Sequence, residues 1–365
     1  MMFKIKVMIL LVLFITLVVY FNDDIETFHF KNISEEIGHV SMVTNTRRIL
    51  YKNKTFIHLL RDSFVKLQQF NITGNDVIVF LHIQKTGGTA FGKILVRNLV
   101  LERKCEKIQI AKKSRFMCKR PGNEEIWLYS RYSTGWVCGL HADWTTWHDC
   151  LPNVLKSRLG EDRASKTRLF YITILRKPVE RFLSEYKHVQ RGATWMTSIF
   201  TCNNKIYTVS YCFKGSNWSN VKLSEFLGCS HNLAFNRQTR MLANLTEVGC
   251  YNSTEYYNHS KEIARMMLKT AKQNLLSMAY FALLEYQRES QYLFEKTFGL
   301  QFKRKFFQMP VSETLGGDEL LKVSTSELLQ IRKVTRLDRQ LYSFAKTIFF
   351  KRLKYYQKLD KFNEP

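Results

Sequence analysis

The sequence has 365 residues, a length that suits one large catalytic domain, or two small ones, with an appendage. Hydrophobic residues make up 45% and aromatic residues 14%, a composition that supplies a packed core and excludes global disorder. The formal charge of +25, from 56 Lys and Arg against 31 Asp and Glu, indicates a polyanionic partner such as nucleic acid, anionic lipid or an acidic glycan.

The N-terminus predicts a membrane anchor. Lys4 and Lys6 precede an uncharged apolar run that is shorter than the ~20 residues of a typical spanning helix, so a cleaved signal peptide is the alternative. No small residues follow the run for cleavage, and the lysines place the N-terminus in the cytosol. The expected organisation is a cytosolic tail, a transmembrane signal-anchor, a lumenal stem and a catalytic domain (1–6, 7–21, 22–74 and 75–365).

Glycosylation sequons and cysteines independently indicate the secretory lumen. Seven N-x-[ST] sequons are present, at Asn32, Asn53, Asn71, Asn217, Asn244, Asn252 and Asn258. The eight cysteines form no C-x-x-C pair, so zinc-site spacing is absent and disulfides of undetermined pairing are expected. Because a lumenal protein does not meet nucleic acid, the positive charge favours an acidic glycan as the partner.

Strands and helices alternate along the catalytic region. Three continuous apolar runs of strand length are each followed by a helical pattern, which predicts an α/β fold with a parallel sheet flanked by helices. A long basic amphipathic helix is predicted near the C-terminus. The strand candidates are 76–82, 170–175 and 279–284, and the helix candidates are 89–101, 179–189, 286–297 and 335–359.

The loop between the first strand and the first helix is predicted to bind phosphate. It reads His82-Ile-Gln-Lys-Thr-Gly-Gly-Thr89. Two glycines let the backbone N–H groups point inward, and the helix N-terminus adds its positive dipole end. Lys85 precedes the glycines, so the loop is not a Walker motif.

A second phosphate site is predicted where the second strand ends. Arg176 follows that strand directly, and Ser184 comes about two helical turns later. Charged and hydroxyl donors at the carboxyl end of a strand suit an anionic ligand. Two separate phosphate sites suit a nucleotide that is phosphorylated at both ends.

Several segments resemble the heparan sulfate 6-O-sulfotransferase family. They are HIQKTGGTAFGK, STGWVCGLHADW, YITILRKPVERFLSEYKHVQRGATW, NRQTRMLANLTEVGCYN, EYQRESQYLFEKTF and LDRQLYSFAK. The resemblance spans about residues 76–359. It implies a sulfotransferase fold related to P-loop nucleotide kinases, a Golgi membrane protein of single-pass type II topology, 3′-phosphoadenosine 5′-phosphosulfate (PAPS) as sulfate donor and no metal. The implied acceptor is the 6-hydroxyl of glucosamine in heparan sulfate.

The resemblance also implies roles for individual residues. His141 corresponds to the family's catalytic base, and histidine titrates in the range that this role needs. Lys85 is expected to stabilise charge on the phosphosulfate bridge, and Asp143 is expected either to orient His141 or to cap a helix. The expected donor contacts are His82, Ile83, Gln84, Lys85, Thr86, Gly87, Gly88, Thr89, Ala90, Arg176, Ser184, Phe307, Gln308 and Met309.

A basic and aromatic cleft is expected to bind the acceptor, because Arg pairs with sulfates and carboxylates and Trp stacks on sugar rings. Two positions depart from the family pattern: Lys177 replaces an Asp, and Tyr186 replaces a Trp. The expected acceptor contacts are Arg131, Trp136, His141, His188, Trp195 and, from the basic run 112–115, Arg115.

Three other functions remain open from the sequence. A different glycosaminoglycan sulfotransferase, acting on a uronyl 2-hydroxyl or on chondroitin, would share the donor motifs. A catalytically dead heparan-binding protein would keep the charge, although the presence of both Lys85 and His141 argues against it. A kinase would need a magnesium-binding carboxylate and a Walker or kinase-type loop, and the sequence offers neither.

Overall fold

The computed structural model describes residues 69–110, 113–251, 260–306 and 323–362. The predicted tail and anchor, the stem up to residue 68, four sequons (Asn32, Asn53, Asn252 and Asn258) and the adenine-end residues Phe307, Gln308 and Met309 lie outside these ranges. Within them, no helix combines the length and the apolar composition that crossing a membrane requires.

A parallel four-stranded sheet forms the centre of the fold. Its order is β4-β1-β5-β8, and every neighbouring pair is parallel. All side chains of β1 and β8 are buried, which explains their continuous apolar sequences. The strands of the described residues are β1 (Asp76–Phe80), β2 (Glu106–Ile110), β3 (Lys113–Met117), β4 (Leu128–Tyr129), β5 (Arg168–Leu175), β6 (Phe200–Cys202), β7 (Lys205–Tyr207) and β8 (Tyr280–Leu283).

Helices cover the sheet, which confirms the predicted α/β class. The helices of the described residues are α1 (Gly88–Arg97), α2 (Trp144–Leu159), α3 (Glu161–Ser165), α4 (Pro178–Gln190), α5 (Leu223–Gly228), α6 (Arg237–Leu242), α7 (Lys261–Ser277), α8 (Gln287–Phe298), α9 (Thr325–Val334) and α10 (Arg336–Phe362). A short 3-10 helix spans Leu245–Val248. Local sequence explains several starts: Pro178 opens α4, and Ser324 with Glu327 forms a capping box before α9.

The first helix is shorter than predicted. The pattern extended it to residue 101, whereas α1 ends at Arg97 with Asn98 as its cap. Leu99 is buried and forms an isolated bridge with Phe302, and the carbonyl of Asn98 accepts from Lys303 N at 2.7 Å. Tertiary pairing with a distant segment therefore ends the helix, although the local periodicity continues.

Four disulfides pair all eight cysteines, which confirms the disulfide prediction. Cys105–Cys118 closes the β2–β3 hairpin, and Cys202–Cys250 joins β6 to the turn after the 3-10 helix. Cys138–Cys150 links the segment before His141 to α2. Cys212–Cys229 fastens the loop that follows β7 to the end of α5. The irregular segments between the sheet elements are thereby tied down.

Candidate active site

Both predicted phosphate motifs lie at one edge of the sheet. Because β1 and β5 are adjacent and parallel, the loop after β1 and the first residue after β5 emerge together. Arg176 Nη1 donates to the carbonyl oxygen of Lys85 at 3.3 Å. Burial lowers the pKa of both the Lys85 ammonium and the Arg176 guanidinium. Thr89, at the far end of the loop, accepts from Arg131 Nη1 at 3.5 Å.

The loop after β1 has the shape of an anion cradle. Gly87 has φ +86°, and a Cβ there would lie 2.6 Å from Leu284 Cδ1. A Cβ on Gly88 would lie 2.2 Å from His82 Cδ2, so a larger residue at this position would displace that ring. In the described structure no side chain caps α1, so its first amide groups remain available to an anion. Two nearby cations and a glycine-lined helix N-terminus fit the phosphate groups of a PAPS-like donor.

His141 lies beside this loop in a defined orientation. Its Nδ1 is 3.0 Å from the carbonyl oxygen of His82. Because a carbonyl can only accept, Nδ1 carries the proton, and Nε2 keeps its lone pair as the basic nitrogen. His141 has φ +55°, a left-handed conformation that is uncommon for a residue with a side chain. Burial lowers the pKa of His141 to about 4, which the hydrogen bond to His82 partly opposes. The ring is therefore neutral near pH 7.

Aromatic rings surround His141 on several sides. The ring centroids of Trp136, His82 and Trp195 lie 4.7, 4.8 and 5.8 Å from that of His141. The guanidinium carbon of Arg131 lies 5.4 Å from the centroid of Trp136. Burial lowers the pKa of His82 well below its usual value, and the neighbouring positive groups lower it further. The donor loop, the histidine and one side of the predicted acceptor cleft thus form one cluster.

The remaining predicted acceptor residues border the same cluster. His188, near the end of α4, lies 5.8 Å from Trp195 between ring centroids. Arg115, on β3, packs its guanidinium against Gly135, where an added Cβ would come within 2.6 Å of Arg115 Nη1. Gly135 adjoins Trp136. The β2–β3 hairpin and α4 therefore bring cationic and aromatic side chains to opposite borders of the cluster.

Asp143 caps a helix, which decides between the two roles expected from the sequence. Its Oδ1 accepts from Thr146 N at 2.8 Å at the start of α2, and its Oδ2 accepts from the Tyr251 hydroxyl. The carbonyl of His82, and not Asp143, thus orients His141. Ser184 lies half-buried two turns into α4. The catalytic and binding roles of the predicted site residues stay predictions.

A buried ion cluster, which the sequence reasoning missed, supports the acceptor side. Glu185 on α4 accepts from Arg181, one turn earlier, and from both Nε and Nη2 of Arg237. All three side chains are almost completely buried. The guanidinium carbon of Arg237 lies 5.5 Å from the centroid of Trp195. The i,i+4 spacing of Arg181 and Glu185 on the inner face of a predicted helix was the available signal.

The same cluster reaches the donor side through hydrogen bonds. Asp338, buried in the first turn of α10, accepts from Gln238 N and from Thr239 N and Oγ1. The Gln238 side chain accepts from Arg176 N and donates to Arg176 O, both at 2.9 Å. The backbone of Arg176 is therefore held in place by α6, and α6 is in turn held by α10.

The two positions that depart from the family pattern have structural partners. Lys177 N donates to Glu285 Oε1 at 2.8 Å, and the Lys177 side chain is exposed. The Tyr186 hydroxyl donates to the carbonyl of Val221 at 3.2 Å and accepts from Gln190 at 3.1 Å. In the described part of the chain, no group of three or more His, Cys, Asp or Glu side chains is arranged to hold a metal ion.

Comparisons with known proteins identify the class to which this fold and site belong. A family model described as "Sulfotransferase family" matches residues 68–345. Heparan-sulfate 6-O-sulfotransferase 1 from Cricetulus griseus is 48% identical over 296 residues, which cover 80% of this chain and 72% of that protein. The human protein of the same name is 48% identical over 80% of this chain and 70% of its own length. Heparan-sulfate 6-O-sulfotransferase 3 from Mus musculus is 47% identical over 84% of this chain and 64% of its own.

The chain is therefore an enzyme of the sulfotransferase family. Within that class it belongs to the heparan-sulfate 6-O-sulfotransferase family, which confirms the resemblance seen in the sequence segments.

Proposed function

We propose that the chain transfers a sulfuryl group from PAPS to the 6-hydroxyl of glucosamine residues in heparan sulfate, with His141 as general base. The names of its relatives support the acceptor and the position. The single observation that carries the mechanism is the hydrogen bond from His141 Nδ1 to the His82 carbonyl, because it leaves Nε2 basic beside the cradle. A neutral imidazole can accept a proton from a sugar hydroxyl at neutral pH.

The donor fits the cradle described above. Bound PAPS supplies the sulfuryl group and a phosphate leaving group. Lys85 and the N-terminus of α1 place positive charge where the leaving phosphate would gain negative charge. Arg176, held through its backbone by Gln238, would bind the 3′-phosphate.

The acceptor side offers two stacking surfaces and several cations. Trp136 and Trp195 lie on different sides of His141, and a sugar ring stacked on either would bring its hydroxyls toward that imidazole. Arg131, Arg115 and His188 border this space and suit the sulfate and carboxylate groups of the glycan.

The proposed location is the Golgi membrane, with single-pass type II topology. The apolar run 7–21, preceded by Lys4 and Lys6, supports this assignment, and the four disulfides suit an oxidising lumen. The test is a protease-protection assay on microsomes that contain the full-length chain. Protection of the C-terminal part with glycosidase-sensitive mobility supports the topology, and digestion without detergent opposes it.

The test of the reaction uses the full-length, detergent-solubilised chain with labelled donor and N-sulfated, 6-O-desulfated heparin. The product is cut to disaccharides and mapped. Label on the glucosamine 6-hydroxyl is the expected result, absent for His141→Ala. It should remain for His148→Ala, because His148 is on α2 and stacks with Trp144 and Tyr171. Label on a uronyl 2-hydroxyl or on chondroitin would overturn the acceptor. Heparin binding without transfer would indicate a dead binding protein.

A further inference from the structure

One face of α10 carries a row of exposed polar residues. The spacing of three or four residues places them on one line along the helix. Five are basic, three are neutral hydrogen-bonding residues, and all eight are exposed. We call this row the basic stripe; its members are Arg336, Gln340, Ser343, Thr347, Lys351, Lys354, Lys358 and Lys361.

Carboxylates are kept away from the basic stripe. The sequence of α10 contains two acidic residues, Asp338 and Asp360. Asp338 is fully buried and accepts from the backbone of α6. Asp360 pairs with Lys296 of α8 at 2.5 Å and accepts from the Tyr292 hydroxyl at 2.7 Å. The lysines of the stripe therefore face solvent beside no acidic residue of their own helix.

The stripe starts near the active site and leads away from it. At its first end, Asp338 holds α6, which holds the backbone of Arg176. At the other end, Asp360 contacts the last turns of α8, which runs from β8 back across the sheet. Residues 336–361 span about 37 Å at 1.5 Å per residue. The opposite face of α10 is buried through Leu341, Ala345 and Phe349, so the stripe is a rigid line.

We propose that the basic stripe is a second binding site for the glycan polymer, remote from the active site, which holds the acceptor chain while one of its sugars is sulfated. This proposal rests on the proposed function. A straight row of cations on a rigid helix complements a linear polyanion with regularly spaced sulfates and carboxylates. A membrane-surface helix would instead carry apolar side chains among its cations, and the stripe has none.

The test compares long and short glycans on the full-length, detergent-solubilised protein. The stripe variant is Lys354→Gln/Lys358→Gln/Lys361→Gln. The matched control, Lys104→Gln/Lys156→Gln/Lys166→Gln, removes the same charge from exposed lysines elsewhere. We expect the stripe variant to bind polymeric heparin about tenfold more weakly, since several modest ion pairs are lost together. Its affinity for a heparin tetrasaccharide, which is too short to reach from the cleft along the stripe, should not change.

Further arms separate the alternatives. The corresponding Lys→Arg triple should keep its affinity for the polymer, because it keeps the charges. An equal loss in the control, or an equal loss for the tetrasaccharide, would overturn the proposal. So would unchanged heparin binding with lost binding to vesicles of phosphatidylcholine and phosphatidylserine, which would assign the stripe to a lipid surface. Sulfate transfer is measured in parallel. If the unsubstituted enzyme transfers none while the dependence on chain length persists, the proposed function fails and the binding site stands.

Discussion

Replacing Glu185 with Gln should strongly destabilise the fold, because Glu185 is the common counterion of two buried arginines. Its carboxylate contacts Arg181 and Arg237, and all three side chains are almost completely buried. Burial by itself raises the pKa of Glu185, but the charges and hydrogen bonds of the two arginines outweigh it and lower the pKa from 4.5 to about 2. At about 1.4 kcal/mol per unit, that shift corresponds to about 3 kcal/mol of folding free energy.

An independent comparison gives a similar magnitude. Removing one partner of a buried ion pair costs about 3–5 kcal/mol, because the other charge stays buried without compensation. A loss of about 3 kcal/mol should lower the unfolding temperature by roughly 6–12 °C. Because the folded-state pKa is depressed, the stabilisation is present above pH 4.5 and is lost as the pH falls through about 2.

The assay is thermal unfolding of the full-length protein at pH 7, with Glu225→Gln as the control because Glu225 is exposed on α5. We expect a clear drop for Glu185→Gln and a change of less than about 1 °C for the control. Since Arg237 lies over Trp195, the KM for the acceptor should rise more than the KM for the donor. An unchanged unfolding temperature for Glu185→Gln would refute the reasoning that this cluster stabilises the fold.

Three further predictions concern the cradle, the base and a disulfide. Gly88→Ala should weaken donor binding by at least about tenfold, measured by calorimetry with 3′,5′-bisphosphoadenosine, because its Cβ would lie 2.2 Å from His82 Cδ2. Because the pKa of His141 is lowered to about 4, its neutral form persists on acidification, so kcat/KM should hold at pH 5.5 and fall toward pH 4; a half-loss near pH 6.5 would contradict this. Replacing both Cys202 and Cys250 by Ser should cost about 4 kcal/mol in chemical denaturation, since the bond closes a separation of 48 residues. Full stability would show that this bond contributes little.

The sheet strands whose side chains are wholly buried were the predictable part of the fold. β1, β5 and β8 appear in the sequence as uninterrupted apolar runs because helices cover both of their faces. β4 has only two residues, and its place beside β1 depends on pairing over a long sequence distance. The hairpins β2–β3 and β6–β7 carry exposed side chains, so hydrophobic periodicity gave no signal for them.

The site was predictable at the level of motifs and not at the level of support. Glycines next to a lysine, placed between a strand and a helix, specify an anion loop through local geometry alone. The burial of Glu185, in contrast, depends on packing by α6 and α10, which come later in the chain. The orientation of His141 depends on the carbonyl of His82, 59 residues away, and a sequence pattern contains no such pairing.

The most direct test of the central claim separates binding from catalysis at His141. In His141→Ala, affinities for 3′,5′-bisphosphoadenosine and for heparin are measured beside the rate of sulfate transfer. We predict both affinities within about threefold of the unsubstituted enzyme and a transfer rate lower by a factor of about 10²–10⁴, the usual contribution of a general base. Transfer within tenfold of the original rate, with both ligands still bound, would contradict the assignment of His141 as the base.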